Sequence, residues 1–356
     1  MLHRILIAWI FLGHQPLSAQ WIVSGNRGMY VNNAGQFLGK NLHNSKSIDF
    51  FAFCKKNHIS YILLMGLTGE GPSLFNTFEK EGFVNKTKAD WLEDVILLAH
   101  QNGVKEIGIG YSGRTSGNRS MEELKPEFDQ AVRLFHAISE YNLLKPGARV
   151  DIMSSEIEWW NLNDRENRIY DEIDSAHGTE VADHYLQSVL STKFDLWMEP
   201  LKRINKKTGS PKIEAYIGYL SKDNINDDFQ AQQMAEVFDR ILTHVYTNSI
   251  EAQLRENYRS RWASFGKQPH KKIELWPLFS AQAKAIGSAS DYQGYIMLNE
   301  PGLSSPQAIE NRFIEDLNAL FKDHYFDHGQ NFNPTGFMWF NYQTLKTFYQ
   351  FSPWSE

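Results

Sequence analysis

The feature that most constrains this chain is an alternation. Short runs rich in β-branched and aromatic residues take turns with longer stretches of helical spacing, and the pattern repeats eight times between residues 28 and 342. The β-rich runs are 28–32, 59–65, 104–110, 149–161, 212–219, 240–246, 272–278 and 336–342. Helical spacing predicts helices over 47–57, 89–102, 121–142, 179–206, 228–238, 249–265 and 306–324. The run from Ile59 to Met65 is nearly all apolar, as a parallel strand buried on both faces must be. No low-complexity linker interrupts the series. Eight such units in one stretch predict a single (β/α)8 TIM barrel. An open, doubly wound sheet is the alternative, but no Gly-x-Gly-x-x-Gly opens a helix after the first run, which weakens its dinucleotide-binding form.

In such a barrel, function sits where the strands end. The predicted strand ends carry Tyr30 and Asn32, Met65, Tyr111 and Ser112, Glu156, Glu158 and Trp160, Tyr216 and Tyr219, His244 and Tyr246, Trp276, and Trp339 and Asn341. That inventory is polar and aromatic, and it suits a carbohydrate cleft. Tyr30, Tyr111, Trp160, Tyr216, Trp276, Trp339 and Asn341 are the candidate sugar contacts. Aromatic residues make up 13% of the chain, a surplus that suits sugar rings, whose C–H faces stack on aromatic planes.

The fourth run, Arg149 to Asn161, is the most informative. Alternation along a strand puts Ser154, Glu156 and Glu158 on one face. Two carboxylates there make poor core packing, and burial must shift their pKa values or supply partners. Acid pairs whose surroundings push their pKa values apart are what glycosidases use. An exposed edge strand with two solvated glutamates is the plainer alternative. Against it stand the apolar opposite face and the two tryptophans, Trp159 and Trp160, that follow. The polar segment 161–176 reads as an active-site loop.

The fourth run also resembles the strand motif Asp-x-x-Asp-x-Asp-x-Glu of family 18 glycoside hydrolases, the chitinases and endo-β-N-acetylglucosaminidases. Here the same spacing reads Asp151-x-x-Ser154-x-Glu156-x-Glu158. Ser112-Gly113, His244-Val245-Tyr246-Thr247 and Gly336-Phe337-Met338-Trp339 stand where that family often has Ser-x-Gly-Gly, Met-x-Tyr-Asp and a tryptophan flooring the sugar site. The resemblance implies substrate-assisted hydrolysis of an N-acetylhexosamine glycan. Glu158 would protonate the glycosidic oxygen, Glu156 would orient the sugar's acetamide, and Tyr246 would hydrogen-bond it. Three positions depart from the family pattern: Ser154 and Thr247 stand where acids are expected, and Glu156 replaces the shorter Asp. The departures fit a divergent enzyme or a carbohydrate-binding barrel that has lost turnover. A different glycosidase arrangement would pair Glu158 with Glu274 on the seventh strand.

Net charge is −6 with no basic run, which argues against nucleic acid as a partner. Residues 1–19 read as a secretory signal: Arg4, an apolar core from Ile5 to Leu12 too short to span a bilayer, and small residues before a cut after Ala19. A secreted or periplasmic location follows as the expectation. No other stretch is long and apolar enough for a membrane span. The single cysteine, Cys54, has no intrachain partner, so the core alone must stabilise the fold. Neither a cofactor nor a metal is implied; the nearest histidine groupings are His177 with His184, and His324 with Asp327 and His328.

Overall fold

The computed structural model describes residues 26–38, 41–65, 86–112, 121–218, 227–246, 264–265, 273–282, 293–322 and 334–351. Eight parallel strands close into one barrel in chain order: β1 Arg27–Val31, β2 Ile59–Leu64, β3 Glu106–Ser112, β4 Ile152–Glu156, β5 Lys212–Ile217, β6 Arg240–His244, β7 Glu274–Ser280 and β8 Phe337–Phe340. The pairing of β8 back onto β1 closes the ring and excludes the open doubly wound sheet. Helices Ser45–Lys56, Lys86–Gln101, Met121–Leu144, Thr179–Lys202, Asp227–Val237 and Pro306–Lys322 lie where helical spacing predicts them. The predicted helix 249–265 lies almost wholly outside the described residues, and residues 1–19, read above as a signal, Gly113, Tyr219, Thr247, His324, Asp327 and His328 lie outside them. No helix among the described residues is long and apolar enough to cross a membrane.

Glycines mark the inner face of the barrel. A Cβ on Gly28 would strike Met338, Tyr61 and Trp276, and one on Gly108 would strike Tyr61, so both positions leave room for large rings. These rings flank a buried guanidinium. Arg240 lies 4.0 Å from the Trp276 ring centre and 5.1 Å from that of Tyr61. Its ion partners are Glu106 and Glu274 at 2.8 Å and Glu214 at 3.5 Å, and Lys212 also reaches Glu106 and Glu274. A buried charge without partners costs several kcal/mol; three carboxylates offset that cost here.

This network overturns two expectations. Glu274 is the first residue of β7, at the barrel's N-terminal end, and its carboxylate is held by Arg240, so it cannot face a sugar at the opposite rim. Trp276, two residues on, fills the barrel beneath that rim and donates its indole N–H to Thr335 at 2.8 Å. The predicted run placed the strand two residues too early, so its C-terminal end is at Ser280, not Leu278.

Three further corrections follow from side-chain parity and capping. Trp339 is fully buried on the helix-facing side of β8, against Phe279 and hydrogen-bonded to Glu310 at 2.9 Å, so it does not floor a cleft. Its neighbours Met338 and Phe340 point inward instead, as period-two alternation requires. Asn341 is buried and caps the helix Tyr342–Phe351, its side-chain oxygen accepting from the Thr344 N–H at 3.4 Å. Segment 161–176 is mostly helix, Asp164–His177, not a loop. A capping box starts it: Asn163 accepts from the Glu166 N–H at 2.9 Å and Glu166 accepts from the Asn163 N–H at 2.8 Å. The segment's low hydrophobicity concealed this start signal.

Candidate active site

The site is built at the C-terminal end of β4. Upstream, Asn142 brackets Val150, donating to its carbonyl and accepting from its N–H, both at 2.8 Å. Asp151 accepts the Ile107 N–H at 2.9 Å. Asp151 therefore fixes strand entry at the far end of the barrel from the rim. Ser154 faces Glu214 across the β4–β5 register. The strand stops at Glu156, and a tight turn carries the chain through Glu158 to Asn161, closed by the Asn161 N–H on the Glu158 carbonyl at 3.1 Å. Glu156 and Glu158 are both half-buried at this end.

The two tryptophans of the turn separate. Trp159 packs outward among Phe194 and Trp197 of the helix layer. Trp160 stays at the barrel mouth, its ring 5.6 Å from Tyr216 and laid over Gly218, where any Cβ would come within 2.8 Å of the indole. Tyr216 continues to His244 at 6.1 Å, and His244 to Tyr246 at 5.1 Å. A ring nitrogen of His244 is 3.0 Å from the Gly218 carbonyl. Trp160, Tyr216, His244 and Tyr246 thus form one aromatic wall, contributed by the β4 turn, β5, and the end of β6. Opposite them in the ring of strands, Tyr30 on β1 packs edge-on to Phe340 at 5.5 Å.

The electrostatics single out Glu156. Burial, then the neighbouring Glu158 charge, push its carboxyl up to about 8. Burial also raises Glu158, opposed by a 2.6 Å hydrogen bond from the Asn161 side-chain amide, which favours the carboxylate. The Tyr30 hydroxyl is buried, has no hydrogen-bond partner among the described residues, and is raised by burial, then by the charges of Glu156 and Glu214. Below it, Glu214 is fully buried; burial lifts it to about 7 against the pull of Arg240, and the Tyr61 hydroxyl donates to it at 2.9 Å. A column of acids and phenols therefore runs from the charged base of the barrel to the mouth.

Of the residues singled out in the sequence, Glu156, Glu158, Trp160, Tyr216, Tyr246 and Tyr30 come together at this mouth. Tyr111 has the parity of Ile107 and Ile109, the face opposite Gly108 and Gly110, and packs against the core. Sequence reasoning missed Asn161, Lys193 and Glu214. Glu214 alternates with the apolar Ile213 and Ala215 on a predicted strand, and that parity was an available signal for an inward acid. No cluster of three or more metal-binding side chains occurs among the described residues, and His177 and His184 are both exposed.

No family model matches the chain, and no curated protein matches it. Structural neighbours do exist. They include the trehalose complex of a xylanase and alpha-amylase inhibitor protein (14% identity, 93% of this chain and 100% of that one, TM-score 0.42). A chitinase from Rhizomucor miehei is another (12%, 90% and 95%, TM-score 0.38). A family 5 glycoside hydrolase from Prevotella bryantii is a third (8%, 91% and 90%, TM-score 0.45). Identities and scores at this level assign no activity to the chain; the barrel is read from its own eight strands.

Proposed function

We propose that this barrel binds a glycan containing N-acetylhexosamine at its C-terminal rim and hydrolyses a glycosidic bond there. The observation that carries the reading is the coupled pair Glu156–Glu158 beside the wall formed by Trp160, Tyr216, His244 and Tyr246. An acid pair so coupled keeps one proton through neutral pH, and an aromatic wall beside it is a stacking surface for a sugar ring.

The one proton is shared by the pair, and Glu158, on the turn beyond the strand end, is the member that delivers it to the glycosidic oxygen as the C1–O bond breaks. The acetamide oxygen of the same sugar attacks C1, giving a cyclic oxazolinium. Tyr246 and Tyr30 supply hydroxyls to position that acetamide, and Glu156 orients it from below. Water then opens the ring at C1 and its proton returns to Glu158, which restores the starting state. Enzymes of this kind use the substrate's own group in place of a second carboxylate nucleophile.

One observation favours a second reading, a barrel that binds glycan without turnover. Ser154 leaves Glu156 without an acid behind it on β4, and the acid across the register, Glu214, is already committed to Arg240 and Tyr61. Chitin oligomers, N-glycans and aryl N-acetylglucosaminides incubated with the purified protein separate the two. Release of reducing ends supports hydrolysis. Binding by calorimetry with no product on any of them sinks it and leaves the binding barrel.

A further inference from the structure

The proposed acid is held by a chain of contacts that begins on another helix. Lys193, on the helix Thr179–Lys202, is 1% exposed. Its ammonium donates to the Asn161 carbonyl at 2.8 Å and pairs with the Glu166 carboxylate. Glu166 is the reciprocal half of the capping box at Asn163. Asn161 in turn donates its side-chain amide to the Glu158 carboxylate at 2.6 Å. A buried lysine carries a large desolvation cost, and a helix needs no such residue to pack. Here both of its polar partners, Asn161 and Glu166, fall on the six residues between the β4 turn and the first turn of the next helix.

We infer that Lys193, paired with Glu166, is a positioning residue for Glu158, acting through the backbone and side chain of Asn161. The inference rests on the reading of Glu158 as the proton donor. The Lys193–Glu166 pair clamps the Asn161 carbonyl, which fixes where the Asn161 amide points. That amide holds Oε2 of Glu158 and so selects one rotamer, which leaves Oε1 to carry the proton toward the substrate. Displacing a catalytic group by about 1 Å can cost on the order of 100-fold in rate, so a clamp on the turn has something to protect.

The test uses three variants of the full chain: Asn161→Ala, Lys193→Met, and the double variant Lys193→Met/Glu166→Gln, which avoids leaving a bare buried carboxylate. The first readout is the Glu158 carboxyl followed by carbon NMR across pH, assigned by its loss in Glu158→Gln. The expected result is an upward shift in Asn161→Ala and a smaller upward shift in the double variant. The second readout is turnover of an aryl chitobioside, with kcat reduced roughly tenfold or more and KM changed less than about threefold. Rescue by Lys193→Arg, which keeps the charge and the donor, is expected to be partial. An unmoved Glu158 titration in Asn161→Ala overturns the inference even if the lysine variants do not fold. An unmoved titration in a folded double variant overturns the role of Lys193. A wild type without turnover fails the hydrolase reading alone, since the NMR readout does not require catalysis.

Discussion

Glu156 carries the clearest consequence at the scale of one residue. Its folded-state pKa, about 8, lies above its ordinary value of 4.5. The folded protein therefore holds more protons than the unfolded chain between those two pH values, and stability must fall as pH rises through that window. Below about pH 4.5 the group does not penalise folding; above about pH 8 the full penalty is present. Glu156→Gln removes the ionisation. It is expected to be more stable than wild type at pH 8 by about 2–4 kcal/mol, with little difference at pH 5. Urea denaturation at both pH values checks this, and parallel stability curves would contradict it. The residue was legible from spacing alone, because two acids on an apolar strand have few innocent explanations. Trp276 and Trp339 were not. Their roles turn on strand register and on the parity of one position, and a two-residue shift in β7 or a single step in β8 moves a ring from cleft to core.

At the scale of the element, the connection from β4 to β5 is where sequence reading and structure diverge most. The strand is five residues long, not thirteen, because the chain turns sharply at Trp159 and Trp160 to bury one ring among the helices and keep the other at the mouth. The helix Asp164–His177 was hidden because few of its residues are apolar, and periodicity needs a hydrophobic stripe to register. Its start signal, Asn163 with Glu166 three residues on, is readable in hindsight. The capping box should stabilise more than the helix, since it also orients Glu166 toward Lys193. Asn163→Ala is expected to lower stability by about 1 kcal/mol, the usual cost of an N-cap, measured by thermal unfolding. A variant as stable as wild type would show that the box is redundant with the lysine pair.

At the scale of the molecule, the barrel divides along its axis. Its N-terminal half is a closed plug of Arg240, Trp276, Tyr61 and their acids; its C-terminal half carries the coupled carboxyls and the aromatic wall. This division was legible in outline, because eight β/α units dictate the fold and the fold dictates which strand ends matter. The plug was not legible, because Glu106, Lys212, Glu214, Arg240 and Glu274 are scattered over nearly 170 residues and meet only when the ring closes. The division predicts that Glu274→Gln lowers stability by about 1–2 kcal/mol, discounted for its partial exposure, and leaves glycan turnover unchanged. Loss of turnover in a folded Glu274→Gln protein would return that residue to the chemistry.

In the proposed reaction Glu158 supplies the proton at the rim. Single-turnover cleavage of a chitin oligomer by wild type and by Glu158→Gln, with binding measured in parallel, tests it most directly. The variant is expected to bind the oligomer within a few fold of wild type and to cleave it at least about 100-fold more slowly, the contribution expected of general acid catalysis. A variant that cleaves as fast as wild type would contradict it.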